Sequence, residues 1–283
     1  MIEILSSGLY TTIQDLGRYG YRKYGVPISG AMDGYSAKLA NQLLGNAKDC
    51  AVLEITFLGP VLKFKTATQI VITGAGFTPT LNYKEISMNT PIEVSMESIL
   101  NFGLPTFGFR GYLAVKGGFK AEKTLGSSSF YKGINAKGLL QKGTILEINQ
   151  SEKKCIKTNA SVHVKKTHFT AERLEVLKGP EFKNLTKEDQ SKLQKLHFTV
   201  TSQSNRMAYL LKNASIITAK EIITAPVQPG TVQITPSGKI MVLMRDAQTT
   251  GGYARILQLT EKSINQLAQK NAGDKVMFLF LEY

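Results

Sequence analysis

The sequence predicts a mainly β protein, and three observations carry that expectation. Short β-branched or aromatic runs recur along the chain with turn residues on either side. The 25 glycines and 9 prolines are spread along the chain, as many short strands and turns require. Segments with helical periodicity are few and do not alternate regularly with the strands, which disfavours a doubly wound sheet and favours a barrel or sandwich.

The elements follow from their composition. Ser36 to Leu44 reads as a helix with Leu39, Ala40, Leu43 and Leu44 on one face, stopped by Gly45-Asn46. Strands are expected at Ala51–Thr56, Gln69–Thr73, Gly111–Lys116 and Thr144–Ile148. Thr186-Lys-Glu-Asp189 has capping-box spacing and opens a second helix. Thr231–Thr235 and Lys239–Leu243 are strands joined by a tight turn at Pro236-Ser-Gly238. Thr260 opens a third helix, with Ile264, Leu267 and Ala268 inward and a stop near Gly273.

A length of 283 residues fits about two domains. The polar, lysine-rich stretch from Gln150 to Thr170 reads as the connector, so the domains are expected at 1–155 and 156–283. Apolar residues at 42% and charged residues at 20% exclude wholesale disorder. Val276–Leu281 is far short of the ~20 apolar residues that span a bilayer. The N-terminus lacks the pattern of a secretory signal. Cys50 and Cys155 are too few and too far apart for a disulfide framework or a structural zinc site. A cytoplasmic protein without a membrane role is therefore expected.

The net charge of +14 permits nucleic-acid binding, but the pattern disfavours it. The lysines near 153–166 are interleaved with polar residues, and neither an arginine-rich run nor an RNP-like aromatic motif is present. A lysine-rich solvated surface is the expected reading.

Nucleotide and metal motifs fail as well. Gly25 to Gly30 has P-loop glycine spacing, but Ala31 follows where Lys is needed. His163, His168 and His197 lack ligand spacing, so no metal is expected. No G-x-S-x-G elbow is present. Ala31-Met32 is followed by Asp33, not the Lys of a biotinyl hairpin.

Two dense segments remain. Tyr10 to Asp33 packs Asp15, Arg18, Ser29 and Asp33 among four glycines, which suits a loop wrapped around a ligand or another loop. An Asp15–Arg18 ion pair that fixes the loop is the alternative. In Met244–Tyr253, Asp246, Gln248, Thr249 and Thr250 precede Gly251-Gly252. Adjacent glycines after two hydroxyls can form a nest for a carboxylate or phosphate oxygen. The alternative is a hairpin whose threonines cap their own backbone.

T-T-I-Q-D-L-G-R-x-G-Y at Thr11–Tyr21 and G-V-P-x-S-G-A-M-D at Gly25–Asp33 together resemble the family of biotin-dependent carboxyltransferases and 5-oxoprolinase C subunits, also called allophanate hydrolase subunit 2. The likeness continues through Leu53-Glu54-Ile-Thr56, Arg110-Gly-Tyr-Leu-Ala-Val115, Gly179-Pro-Glu181, Ser204-Asn-Arg-Met207, Gly230-Thr-Val-Gln233 and the T-T-G-G-Y segment.

The resemblance implies two cyclophilin-like β-barrel domains. It implies a kinase-inhibitor-like protein as partner and, for the oxoprolinase, a lactam-utilisation protein as a second partner. It further implies ATP-coupled opening of the 5-oxoproline lactam to L-glutamate, with ATP used by the complex and no biotin on this chain. Amide resonance stabilises a lactam, so activation is needed, with donors for phosphoryl and carboxylate oxygens.

On that reading Asp246, Arg18 and Asp15 are candidate catalytic residues, Asp246 as the acid/base or orienting carboxylate. Gln233, Arg206, Thr249, Thr250, Gly251, Gly252, Tyr253, Ser29 and Asp33 are candidate substrate contacts. Two other functions stay open: an antagonist that binds a kinase-inhibitor-like protein, and a carboxyltransferase subunit of a urea or amide carboxylase. The sequence departs from the family pattern at Ser128, Ala208 and Ala254, where Arg, Gly and Pro are usual.

Overall fold

The computed structural model describes residues 1–135, 137–149, 162, 164–213 and 215–282. The expected boundary between residues 155 and 156, together with Cys155 and His163, lies outside the described residues. By internal contacts the chain divides into a first unit of Met1–Arg18 and Ser29–Phe169 and a second of Tyr19–Ile28 and Thr170–Tyr283.

The first unit begins with β1 (Ile2–Ser6), β2 (Tyr10–Gln14), α1 (Gly34–Leu43), β3 (Val52–Thr56), β4 (Val61–Phe64) and β5 (Thr68–Gly74). It continues with β6 (Thr80–Leu81), β7 (Lys84–Glu85), β8 (Ile92–Val94), β9 (Ile99–Asn101), β10 (Arg110–Val115) and β11 (Ile145–Leu146). These strands form a six-stranded sheet, β11-β1-β4-β9-β6-β7, and a five-stranded sheet, β2-β3-β10-β5-β8. Ile2, Ile4, Leu62, Phe64 and Leu100 of the first share one buried core with Leu53, Ile55, Ile70, Ile72, Leu113 and Val115 of the second.

Alternation along a strand sends the next residue to the opposite face. Val52, Val71, Tyr112 and Ala114 therefore meet Ala37, Ala40 and Leu44 of α1 on the far side of the five-stranded sheet. The helix starts earlier than its apolar pattern suggests, because Asp33 caps it by accepting from the backbone N–H groups of Tyr35 and Ser36. The strand expected over Thr144–Ile148 shortens to β11. The short helix α2 (Thr167–Thr170) follows, inside the expected connector.

The second unit comprises β12 (Arg173–Lys178), α3 (Lys187–Lys195), β13 (Phe198–Val200), β14 (Ala208–Lys212), β15 (Ala225–Pro226) and β16 (Thr231–Ile234). After these come β17 (Ile240–Leu243), β18 (Thr250–Gly251), β19 (Ala254–Leu259), α4 (Glu261–Leu267) and β20 (Lys275–Phe280). Seven strands close a barrel in the order β12-β19-β16-β17-β14-β13-β20. Leu174, Val176, Phe198, Val200, Val232, Ile234, Val276 and Phe278 are buried in it.

Both expected helix caps form here: Thr186 accepts from Asp189 N–H and Thr260 from Ser263 N–H. Gly238, at φ +76, makes the expected tight turn between β16 and β17. Among the described residues no helix is long and apolar enough to cross a membrane.

Candidate functional site

The dense loop of the first unit is a buried polar cluster. Asp15 follows β2 and is 7% exposed. Its Oδ1 accepts from the hydroxyls of Ser127 at 2.6 Å and Ser129 at 2.5 Å and from Gly17 N–H at 2.8 Å. Its Oδ2 accepts from Ser128 N–H at 2.7 Å. A carboxylate with four such donors is a fixed structural anion. Arg18 is 1% exposed and donates to the Ser129 carbonyl and to Asn135 Oδ1 at 2.8 Å. Asp15 and Arg18 thus share Ser129 as a common neighbour. Ser29 is fully buried with φ +56, and its hydroxyl has no hydrogen-bond partner among the described residues.

Asp33 lies deeper than a loop carboxylate. Besides capping α1, its Oδ2 accepts from the Ser36 hydroxyl at 2.7 Å and meets His168 Nε2 at 3.0 Å. These contacts engage both oxygens.

Sequence reasoning missed the layer beneath. Glu54, on β3 and 1% exposed, accepts from Met32 N–H at 2.6 Å and from the Tyr112 hydroxyl at 2.9 Å. The Tyr112 hydroxyl in turn accepts from Asp33 N–H at 2.8 Å. Arg110 Nε lies 4.0 Å from Glu54. Burial, then the nearby Glu54 and Asp33 carboxylates, push the Tyr112 phenol well above its ordinary value. The available signal was a glutamate inside the otherwise apolar run Ala51–Ile55.

In the second unit Arg206 and Asp246 hold each other in a two-pronged pair, Nε–Oδ2 2.7 Å and Nη2–Oδ1 3.1 Å. Asp246 N–H also donates to the Arg206 carbonyl at 3.0 Å. The pair joins a candidate catalytic carboxylate and a candidate substrate contact in one clamp. Fully buried Gln233, on β16, donates to the Tyr253 carbonyl at 3.2 Å, which leaves its Oε1 without a partner among the described residues.

The T-T-G-G turn differs from the expected anion nest. A nest needs successive residues of opposite backbone hand, and neither Gly251 nor Gly252 has positive φ. Instead β18 pairs with β15, Val227 N–H donates to the Thr249 carbonyl, and Ile222 N–H donates to the Gly252 carbonyl.

The glycines are needed for close approach. A Cβ on Gly251 would lie 3.1 Å from Gln233 Nε2 and 3.6 Å from Gln248 Nε2, and one on Gly252 would lie 3.1 Å from the Ile222 carbonyl. Gln248, part of the same dense segment, joins the group. Also unforeseen, Glu181 grips Arg255 through Oε2–Nε at 2.9 Å and Oε1–Nη2 at 2.8 Å, and this holds the Glu181 carboxyl below its usual value.

A mainly β chain with a closed barrel and two compact units of buried polar loops has solved counterparts. TTHA0988 superposes with a TM-score of 0.89 at 28% identity, covering 98% of this chain and 55% of that one. The urea carboxylase of Kluyveromyces lactis also gives 0.89, at 29% identity over 99% of this chain and 27% of that one. This chain spans about half the length of the first and about a quarter of the second.

The family model for carboxyltransferase domain, subdomain A and B, matches residues 24–280, and the chain belongs to that family. The C subunit of 5-oxoprolinase from Escherichia coli is 33% identical over 99% of this chain and 91% of its own length. Its counterpart of the same name from Haemophilus influenzae is 29% identical over 98% and 90%. The urea amidolyase of Lachancea kluyveri is 42% identical over 155 residues, 53% of this chain and 8% of that protein.

Proposed function

We propose that this chain is the C subunit of a cytoplasmic 5-oxoprolinase complex, in which it helps open a cyclic amide to L-glutamate. The observation that carries this reading is its near full-length likeness to two relatives named as the C subunit of 5-oxoprolinase. Opening breaks the lactam C–N bond, places a water-derived oxygen on the carbonyl carbon and leaves a proton on nitrogen. The chain's own part is to bind and orient.

Gln233 Oε1, which has no partner among the described residues, is the acceptor assigned to the lactam N–H. Arg206, fixed in place by Asp246, is the cation assigned to the substrate carboxylate. Asp246 then acts as the orienting carboxylate, because both its oxygens are held by Arg206. In the first unit Asp15 and Arg18 meet at Ser129, and they, Asp33 and Ser29, whose hydroxyl has no partner among the described residues, are the further contacts assigned to this chain.

The complex uses ATP, but the described residues of this chain do not fit a triphosphate. The Gly25–Gly30 stretch lacks its lysine and the Gly251-Gly252 turn is paired into a ladder. We assign ATP to a partner, and the partners are the kinase-inhibitor-like protein and the lactam-utilisation protein.

A second reading, a carboxyltransferase part of a urea or amide carboxylase, is favoured by the higher identity to urea amidolyase over about half the chain. Co-expression with a candidate for each of the two partners tests the choice. Release of ADP and glutamate that depends on 5-oxoproline and on all three chains supports the oxoprolinase. Absence of turnover with a stable complex, together with carboxyl transfer to urea from a carboxybiotinyl donor, supports the second reading.

A further inference from the structure

A cavity of about 270 Å³ in the second unit is lined by residues of β12, β15 and β19. Arg22 lines it too, from a short 3₁₀ turn at Arg22–Tyr24 that belongs to the same unit. The charged groups at its wall are Arg22, Lys178 and Arg255, and among the described residues no carboxylate lines it.

The backbone brings these cations together. Lys178 ends β12, and Gly179 follows so close to β19 that a Cβ there would lie 2.2 Å from the Arg255 carbonyl oxygen. Lys178 Nζ is steadied over the Phe182 ring, 5.6 Å from its centroid. Gly25, at φ +80, closes the Arg22 turn by donating its N–H to the Arg22 carbonyl at 3.0 Å.

Their donors are not used up. Arg255 directs Nε and Nη2 to Glu181 and Nη1 to the Pro226 carbonyl, and a guanidinium has five N–H groups, so two remain. The side chains of Arg22 and Lys178 have no hydrogen bond or ion pair among the described residues. The uncharged polar groups beside them are committed. Gln258 Nε2 donates to the Pro229 and Leu259 carbonyls, and the Thr231 hydroxyl donates to Gln258 Oε1. Backbone N–H groups are committed as well: Gly179 donates to the Ile256 carbonyl and Gln228 to the Thr231 hydroxyl.

Like charges gathered at one cavity repel unless an anion joins them. Glu181 offsets one of the three, which leaves two positive charges. The rest of the wall is apolar, with Leu177, Pro180, Pro226, Val227 and Leu257. The volume lies near the ~300 Å³ lower end of ligand pockets, which suits a short carbon chain.

We infer that this cavity binds a small organic dicarboxylate. Two carboxylates match the two remaining charges, and guanidinium groups receive carboxylates in two-pronged pairs. The methylenes between them cover the apolar wall. A phosphate would find the charge, but no free backbone N–H cradle and no use for the hydrocarbon wall. None of the residues assigned to the cyclic amide lines this cavity, and the inference stands without the complex proposed above.

The test is calorimetric titration of the full chain, without partners, with glutarate at low ionic strength, where charge pairing is least screened. Arg22→Gln and Lys178→Gln each remove one unpaired cation. Lys23→Gln is the control, an exposed lysine next to Arg22 that does not line the cavity. Arg22→Lys, which keeps the charge and loses the fork, replaces Arg22→Gln if that variant's melting curve shows it unfolded.

Wild type and Lys23→Gln should bind one glutarate alike, and the cavity variants at least about tenfold more weakly. Absence of saturable binding to the wild type overturns the inference. Undiminished binding by the folded cavity variants overturns the location. Inorganic phosphate that binds as tightly as glutarate and competes with it shows that the cavity reads charge alone, and overturns the dicarboxylate assignment.

Discussion

Tyr112 donates its hydroxyl proton to Glu54 at 2.9 Å and so ties the centre of β10 to β3 beneath the Met32-Asp33 turn. Both residues lie on the α1 side of the five-stranded sheet and are essentially unexposed. The same hydroxyl accepts from Asp33 N–H, and Glu54 accepts from Met32 N–H. One buried hydroxyl and one buried carboxylate thereby fix where the glycine-rich loop ends and where α1 begins.

Removing that hydroxyl leaves Asp33 N–H and one Glu54 bond without their partner. Tyr112→Phe should destabilise the protein by about 1–3 kcal/mol. Urea unfolding of the two proteins measures it, and an unchanged midpoint would mean the hydroxyl is dispensable.

The same residue gives a pH signature. Its folded pKa is raised above the unfolded value near 10, so the neutral phenol is favoured on folding. This stability is fully present below about pH 10. It is lost as pH rises from the unfolded towards the folded pKa. Between pH 9 and 11 the wild type should lose stability more steeply than Tyr112→Phe, and parallel curves would contradict this.

Glu181 supplies the opposite sign. Arg255 lowers its folded pKa, so its contribution holds above the unfolded value and is lost as pH falls through the folded one. Glu181→Gln should cost about 2 kcal/mol at neutral pH and flatten the acid limb below about pH 4. Denaturant melts from pH 3 to 7 check both statements.

Gly252→Ala should disturb the turn, since a Cβ meets two backbone carbonyls at 3.1 and 3.2 Å. The expected loss is about 1–2 kcal/mol, as for other overpacked sites. Gly126→Ala is a useful comparison, because it has positive φ but nothing within 4 Å. A loss there reports backbone strain alone.

In the reconstituted complex, Asp246→Ala should lower kcat on the order of 100-fold by releasing Arg206. Gln233→Ala should mainly raise KM for the cyclic amide if its unused acceptor binds the ring N–H. Steady-state kinetics with 5-oxoproline separates the two effects, and unaltered kinetics in either variant removes that residue from the site.

Much of the fold was legible because local chemistry determined it. Short β-branched or aromatic runs bounded by turn residues marked β3, β5, β10, β16 and β17, and Thr186 and Thr260 announced two helix starts through their capping oxygens. The likeness of the two glycine-rich segments to a family was legible for the same reason: it lives in consecutive residues.

Partner choice was not legible, because a side chain chooses among neighbours only after the strands are paired. From the sequence Asp246 read as a catalytic carboxylate and Arg206 as a separate substrate contact, yet a separation of 40 residues closes into one clamp once β14 lies against β17. Asp33 and Glu54 likewise became structural carboxylates because packing removed them from water and supplied donors. Gly251 and Gly252 suggested a nest, but the pairing of β15 with β18 made them points of close approach. The sequence by itself determined which residues form strands, turns and caps, since those depend on neighbours within a few positions. Only the tertiary structure decided which polar groups are spent on one another and which, such as Gln233 Oε1, have no partner among the described residues.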